Sequence, residues 1–225
     1  MKPKCIRSLM TLMLCCLAAF VLTGTALAAN IVASGSCGAQ GSNLTWTLDS
    51  EGALVIRGSG AMAGGSPWWS NSASIKSVQI SHGVTSIGDS AFSDCSSLTS
   101  ITIPEGVTSI GDRAFNFCNI LTNISIPSTM ESIGSDAFSG YHFSNAQTSV
   151  SITDIAAWCR ISFKDNESNP LNSFGTLYLN GTKVETLEIP EGTQVVSQYA
   201  FINARCIKRV ALPKSLIGVA GNAFS

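Results

Sequence analysis

The stretch at residues 98–118, LTSITIPEGVTSIGDRAFNFC, decides the fold because its residue types recur along the chain at a fixed spacing. Three kinds of residue repeat every 23 positions, namely Ile87, Ile110 and Ile133, then Gly88, Gly111 and Gly134, then Phe92, Phe115 and Phe138. The pattern resumes at Val184 and again at Ile207, after an interval from Leu121 to Val184 that is much longer than one period. Self-similarity at such a period indicates a protein built from stacked structural repeats.

Each repeat has the sequence of a strand followed by a turn. Ile101 and Ile103 alternate with polar residues, which predicts a short strand with one buried face, and Pro104 ends it because proline has no N–H to donate. Gly111 and Asp112 predict a turn and a helix N-cap, followed by about one helical turn. Burying six large apolar groups gains roughly 12 kcal/mol, whereas ordering each backbone residue costs about 1 to 2 kcal/mol. One repeat is therefore unstable alone, and the repeats are expected to stack into a solenoid.

The motif at residues 98–118 resembles the BspA-like leucine-rich repeat proteins, whose units read LxxIxIPxxVxxIGxxAFxxC. The resemblance covers about residues 43–225, with departures at Ser197, which replaces the glycine, and Ala204, which replaces the cysteine. It implies a right-handed leucine-rich-repeat coil with short parallel strands on the concave side and short helical turns on the other side. It also implies surface display, adhesion or host interaction.

The N-terminal segment, residues 1–28, is typical of a signal peptide. Basic residues precede an apolar run at residues 9–22, and Ala26-Leu27-Ala28 has the small-x-small pattern of a cleavage site. The run is shorter than the roughly 20 residues that a membrane span requires. We therefore expect cleavage after Ala28, a secreted or cell-surface location and no membrane span in the mature chain. An uncleaved anchor is the alternative.

The period divides the rest of the chain into four parts. We expect an N-terminal β cap at 29–66, leucine-rich repeats at 67–143, irregular coils or an insertion at 144–183, and further repeats at 184–225, of which the last is incomplete. Alternating apolar residues around Trp46 predict a hairpin in the cap. In the irregular part we expect strands at 150–152 and 177–179, a short helix capped by Asp154, and a loop around 164–172.

Composition and motifs argue against catalysis. The chain has 13 Lys and Arg against 14 Asp and Glu, and only 12% charged residues, which excludes a basic nucleic-acid binder. The two histidines, His82 and His142, lack the spacing of a metal site, and no GxSxG elbow is present. We therefore expect a protein without enzymatic activity, cofactor or metal.

Two groups of residues leave alternatives open. Cys95 and Cys118 share a repeat position, so they are either stacked buried thiols, which we favour, or a disulfide. The four tryptophans, Trp46, Trp68, Trp69 and Trp158, form either a sugar-stacking platform or, as we favour, structural positions, with one in the cap, a pair near the cap junction and one that anchors a helix.

The strand alternation predicts where a partner binds. Outward-facing residues of successive strands are expected to align in two columns across a sheet, and they are Ser77, Gln79, Ser100, Thr102, Asn123, Ser125, Thr186 and Glu188. We therefore expect an exported recognition module for an extracellular protein or glycan. The alternatives are a spacer array without its own ligand, for which these residues only solvate a sheet, and carbohydrate binding through exposed tryptophans.

Overall fold

The structure is a computed structural model that describes residues 30–140, 148–173 and 175–225. The predicted signal peptide at 1–28, its cleavage site after Ala28 and His142 lie outside the described residues. Among the described residues, no helix is long and apolar enough to cross a membrane.

The N-terminal part contains three antiparallel strands and a short fourth strand that pairs parallel with a strand of the first repeat. They are β1 (Ile31–Gly38), β2 (Gly41–Asp49), β3 (Ala53–Gly58) and the short β4 (Gly60–Ala61). β1 pairs antiparallel with β2, and β2 pairs antiparallel with β3, so the hairpin predicted around Trp46 is present. Leu44, Trp46 and Leu48 alternate with less buried residues on β2 and place their side chains in the core. A 3-10 helix, Trp69–Ser74, then leads into the repeats.

Each regular repeat contains two strands. The first strands are β5 (Ser77–Ile80), β7 (Ser100–Thr102) and β9 (Asn123–Ser125), and the second strands are β6 (Val84–Ile87), β8 (Ser109–Ile110) and β10 (Ser132–Ile133). The first strands lie where the alternation predicts them. The second strands were expected only as a return of the chain toward the core, because strands this short do not show an alternating pattern.

The irregular part continues the strands with different connections. It contains β11 (Ser149–Ile152), α1 (Ile155–Arg160), β12 (Ser162–Phe163), 3-10 helices at Asn166–Ser168 and Pro170–Ser173, β13 (Thr176–Leu179) and β14 (Thr182–Lys183). The predicted cap of α1 is confirmed, since Asp154 Oδ1 accepts a hydrogen bond from the Ala157 N–H at 2.9 Å. The segment predicted as a loop around 164–172 instead forms most of the two 3-10 helices.

The last two coils return to the regular pattern. They contain β15 (Thr186–Glu188), β16 (Val195–Val196), β17 (Arg209–Ala211) and β18 (Gly218–Val219). The described strand pairs beyond the β1–β2–β3 hairpins are parallel except β13 with β14. The described strands form sheets with the orders β1-β2-β3-β5, β12-β10-β8-β6-β4, β14-β13-β11-β9-β7, β15-β17 and β16-β18.

The expected helical turns of the regular repeats are not helices, which corrects the prediction. Arg113 and Phe117 have φ angles of +56° and +58°, in the left-handed region that ends an α-helix. Alternate N–H groups donate to the next coil, as Phe92 N does to Ala114 O at 2.8 Å. Asp112 therefore caps no helix, and its Oδ1 accepts from the Ser135 N–H of the next coil at 2.8 Å.

One continuous core runs along the coils. Phe92, Phe115 and Phe138 stack with centroids 5.2 Å apart, and Trp68 extends the stack at 5.4 Å from Phe92. The repeating glycine permits close approach of the preceding coil, because a Cβ on Gly134 would lie 2.6 Å from the backbone N of Asp112. Residues that lie one period apart in the sequence are thus in direct contact between neighbouring coils.

Candidate functional site: the polar strand face

The sheet β14-β13-β11-β9-β7 brings polar residues of successive coils side by side. Ser100, Asn123, Ser149 and Thr176 are partners in one column, and Thr102, Ser125, Ser151, Tyr178 and Lys183 are partners in a second. The residues between the columns, such as Ile101 and Ile124, are buried beneath the sheet. We call the outward residues of β7, β9 and β11 the strand face.

The strand face presents uncharged hydrogen-bonding groups. Ser100, Thr102 and Asn123 are exposed, and Ser125 is half-buried. Asn123 donates from Nδ2 to Thr122 Oγ1 at 3.1 Å. Among the described residues, no protein group hydrogen-bonds to the hydroxyls of Ser100, Thr102 or Ser125.

The eight predicted site residues do not all lie in one sheet. Ser77 and Gln79 are exposed on β5, which pairs with β3 of the N-terminal sheet. Thr186 and Glu188 are exposed on β15, which pairs only with β17 among the described strands. The structure therefore keeps Ser100, Thr102, Asn123 and Ser125 together and places the other four in two neighbouring sheets.

Residues of the irregular part extend the columns, and the sequence did not reveal this. Ser149 pairs with Asn123, and Thr176 pairs with Ser149, although both intervals are longer than the regular period. The strands at 150–152 and 177–179 were predicted, but their register was not. In the alternating sequence of β11, Ser149 and Ser151 flank the apolar residue Val150, so this alternation could have identified both as outward-facing residues.

The columns end at a break between two sheets. A groove of about 200 Å³ lies there, lined by residues of β13, β14 and β15 that include Leu179, Lys183 and Glu188. The neighbouring Glu185 pairs with Lys208 at 2.9 Å and with Lys183 at 3.4 Å. Hydrogen bonds from Lys208 and Lys183 hold the pKa of the Glu185 carboxyl below its ordinary value.

The structure does not support a platform of four tryptophans. Trp46, Trp68 and Trp158 are buried, and only Trp69 is exposed, at 75%. Trp46 packs edge-on against Trp68 at 5.6 Å, and Trp158 Nε1 donates to Ala200 O at 2.7 Å. Three of the four are therefore parts of the core, which leaves a single indole for stacking against a sugar.

The cysteines of the described chain are buried free thiols. Cys118 Sγ donates to Phe92 O at 3.1 Å, and a hydrogen bond with Cys95, together with burial, holds the pKa of the Cys118 thiol well above its ordinary value. Burial raises the pKa of Cys37 to about 11 and that of Cys159 to about 12. A thiol with so high a pKa is a poor nucleophile at neutral pH.

We expect iodoacetamide to alkylate Cys37, Cys118 and Cys159 very slowly in the folded protein at pH 7, because the pKa of each of these thiols is raised. The thiolate of Cys37 is about a hundredfold less populated than that of an ordinary cysteine, because burial raises its pKa from 9.0 to about 11. Mass spectrometry measures the modification, which should quicken as pH rises from 7 to 10 because the thiolate fraction grows. Denatured protein, as the control, should react at every cysteine, and rapid alkylation of the folded protein at pH 7 would contradict this assignment.

The described residues contain no cluster of three or more His, Cys, Asp or Glu that could hold a metal ion. His82 is exposed on the turn after β5.

Residues 65–173 and 172–225 match the family described as BspA type Leucine rich repeat region, in six copies. No curated protein matches the chain. Solved structures similar to it include a leucine-rich repeat protein from Eubacterium ventriosum, with 20% identity and a TM-score of 0.38 over 83% of this chain and 62% of that one. The chain therefore spans less than two thirds of that protein.

Two other similar structures are also bacterial. The Treponema protein "T. pallidum Leucine Rich Repeat protein" has 18% identity and a TM-score of 0.44, over 81% of this chain and 87% of that one. A leucine rich cell surface protein from Faecalibacterium prausnitzii has 17% identity and a TM-score of 0.30, over 85% and 73%. The family match extends over most of the chain and over every regular coil, and on that basis this chain belongs to the BspA-type leucine-rich repeat family.

Proposed function

We propose that the chain is an exported, non-catalytic recognition module that binds an extracellular protein or glycan through the strand face. The observation that carries this proposal is the pair of registered columns, in which polar groups with free hydrogen-bonding capacity project from one sheet. Repeat proteins use such extended surfaces to contact partners. A ligand is held there by many weak hydrogen bonds, and its affinity depends little on salt because the strand face is uncharged.

The proposal includes several structural expectations from the sequence. The coil is right-handed with the strand face on its concave side, the antiparallel sheet at 29–66 caps the first repeat, and the parts at 67–143, 144–183 and 184–225 are as the period divides them. The protein reaches the cell surface or the medium after cleavage at Ala28, in agreement with the signal-peptide pattern at 1–28.

A binding screen tests the recognition role. The purified protein is applied to an array of glycans and to a panel of extracellular proteins, with wild-type and Trp69→Ala chains compared in parallel. Binding that is independent of Trp69 supports recognition through the strand face. Glycan binding lost in Trp69→Ala would favour the carbohydrate alternative, and an absence of binding in both arms would favour a spacer array.

Paired arginines distinguish the strand face from the rest of the surface. We expect Thr102→Arg with Ser125→Arg to abolish binding of the ligand found in the screen, because these neighbouring residues project from β7 and β9. The protein should stay folded, since both positions face outward and surface changes cost little. Surface plasmon resonance measures binding, and circular dichroism verifies folding.

The matched control is Ser96→Arg with Asn119→Arg. These two residues are exposed, lie one period apart and belong to the turns that precede β7 and β9. The control adds the same charge and should bind as the wild type does. Binding retained by the folded strand-face variant would move the site to the 144–183 part or to Trp69.

A further inference from the structure

The hairpin of β13 and β14 leaves two strand edges open between the irregular part and the coils that follow it. Among the strands that the structure describes, β14 pairs only with β13, and β15 pairs only with β17. The groove of about 200 Å³ at this break is lined by Thr182 and Lys183 of β14 and by Thr186 and Glu188 of β15. We call it the hairpin groove. An open strand edge is a template for pairing with a strand of another molecule.

One wall of the hairpin groove is the free backbone edge of β15. Arg209 N donates to Glu185 O at 3.3 Å, on the side where β15 pairs in parallel with β17. Backbone groups of successive residues in a strand point to opposite sides, so Leu187 also directs its N–H and C=O toward β17. The N–H and C=O of Thr186 and Glu188 therefore point away from β17, and no group of the described residues hydrogen-bonds to them.

The other wall is the outer edge of β14. Val184 N donates to Leu177 O at 2.9 Å, so the backbone of Val184 faces β13. Lys183, the partner of Tyr178, occupies the alternate position of this antiparallel pair, in which the backbone groups point outward. The hairpin groove thus has unpaired backbone donors and acceptors along both walls.

The side chains beneath these edges are apolar. Ile155, Val184 and Leu187 are buried, and Leu179 is half-buried against the core, and all four line the groove. Small-molecule sites have volumes of roughly 300 to 1,000 Å³, so this groove is too small to enclose such a ligand. It suits one apolar side chain from a segment whose backbone lies along the open edge. Binding by addition of a strand to a sheet edge has this geometry.

The charges at the groove favour a basic residue in that segment. Lys183 is paired with Glu185 at 3.4 Å, and Glu185 is also paired with Lys208 at 2.9 Å. Glu188 is exposed on the opposite wall and has no ion-pair partner within the described ranges. Pairs of opposite charge on neighbouring strands stabilise strand pairing. Because successive side chains of a strand point to opposite faces, the residue next to a basic one beside Glu188 points at the groove floor.

We propose that the hairpin groove binds an extended segment of a partner protein. The segment pairs with the open edge of β15, places an apolar residue on the groove floor and places an adjacent Lys or Arg beside Glu188. It fills a position between β14 and β15 that no strand of the described chain occupies. The site is separate from the strand face, so this proposal does not depend on a ligand bound there.

A library of random heptapeptides displayed on phage and selected on the immobilised protein tests the proposal. We expect enriched peptides to share an apolar residue directly beside a Lys or Arg. A synthetic copy of an enriched peptide, measured by fluorescence anisotropy, should bind Glu188→Lys at least about tenfold more weakly than the wild type, because the charges now repel. Glu131→Lys makes the same change at an exposed position outside the groove and should bind as the wild type does.

A charge swap protects this test against misfolding. The same peptide with its basic residue replaced by Glu should bind Glu188→Lys better than it binds the wild type, and this requires the variant to be folded. The folded strand-face variant, Thr102→Arg with Ser125→Arg, should bind the original peptide as the wild type does. Its result separates this site from the strand face.

The backbone of Thr186 provides a second test. Thr186→Pro removes the N–H that points away from β17, and proline is tolerated at a strand edge, so binding should weaken while circular dichroism stays unchanged. Thr186→Ala keeps the N–H and should bind as the wild type does. A selection that enriches no peptide would overturn the proposal. Equal binding of an enriched peptide by the wild type, Glu188→Lys and Thr186→Pro would overturn it too, because that peptide would lie elsewhere.

Discussion

Replacing Phe115 with alanine is expected to lower the free energy of unfolding by about 3 to 5 kcal/mol. Phe115 is buried, and its ring lies between those of Phe92 and Phe138 at 5.2 Å from each. Its removal leaves a cavity that touches three coils at once. The side chains on either side are held by their own stacking contacts, so the cavity cannot collapse fully.

Thr102→Ala is the control for Phe115→Ala. Thr102 is exposed on the strand face, so its loss should cost under about 1 kcal/mol. Urea unfolding followed by circular dichroism gives both free energies. Similar losses for the two variants would contradict the division of the repeat into inward and outward positions.

Trp68→Ala and Trp69→Ala should differ strongly in their free energies of unfolding, although the two residues are adjacent in the chain. Trp68 is fully buried between Trp46 and Phe92, so its truncation should cost about 3 to 5 kcal/mol. Trp69 is 75% exposed, and its truncation should change stability by less than about 0.5 kcal/mol. Thermal unfolding of both variants provides the comparison.

Trp68→Phe sharpens this test. Among the described residues, the buried indole N–H of Trp68 has no hydrogen-bond partner. Phenylalanine keeps an aromatic ring in the stack and removes that unsatisfied donor, so this variant should lose much less stability than Trp68→Ala. A larger loss for Trp69→Ala than for Trp68→Ala would show that the chain enters the first coil one residue out of register.

The position of Trp68 shows where the repeat ceases to predict the structure. Trp69, not Trp68, stands one period before Phe92. The 3-10 helix at Trp69–Ser74 precedes the first repeat strand and has no equivalent in the described regular coils, where left-handed residues interrupt the turn. The period therefore identifies the type of residue that fills the core, whereas local backbone geometry decides which of two adjacent tryptophans does so.

Strands with alternating residues were predictable, and the turns were not. Ile101 and Ile124 lie under the sheet as the alternation predicts. A run such as Ala114-Phe115 is compatible with a helix by residue type. In the structure the neighbouring coil accepts hydrogen bonds from alternate N–H groups of this run, a long-range contact that no local propensity contains.

The extent of the candidate site was only partly predictable for a similar reason. Ser100, Thr102, Asn123 and Ser125 are spaced by one period and lie together. The hairpin of β13 and β14 ends the sheet before β15, so Thr186 and Glu188 belong to a separate sheet despite their regular spacing to Arg209 and Ala211. An insertion shifts the register between repeats, and its effect depends on how the inserted strands pair.

The strand face is the central claim, and site-directed photo-crosslinking tests it most directly. The described cysteines are buried, so Thr102→Cys introduces an exposed thiol that a benzophenone maleimide can label in the folded protein. Asn119→Cys places the same label on an exposed turn residue outside the strand face. Irradiation with the ligand from the screen, followed by mass spectrometry, shows which side contacts it. We predict a crosslinked product from position 102 and none from position 119, and a product from position 119 alone would contradict the account.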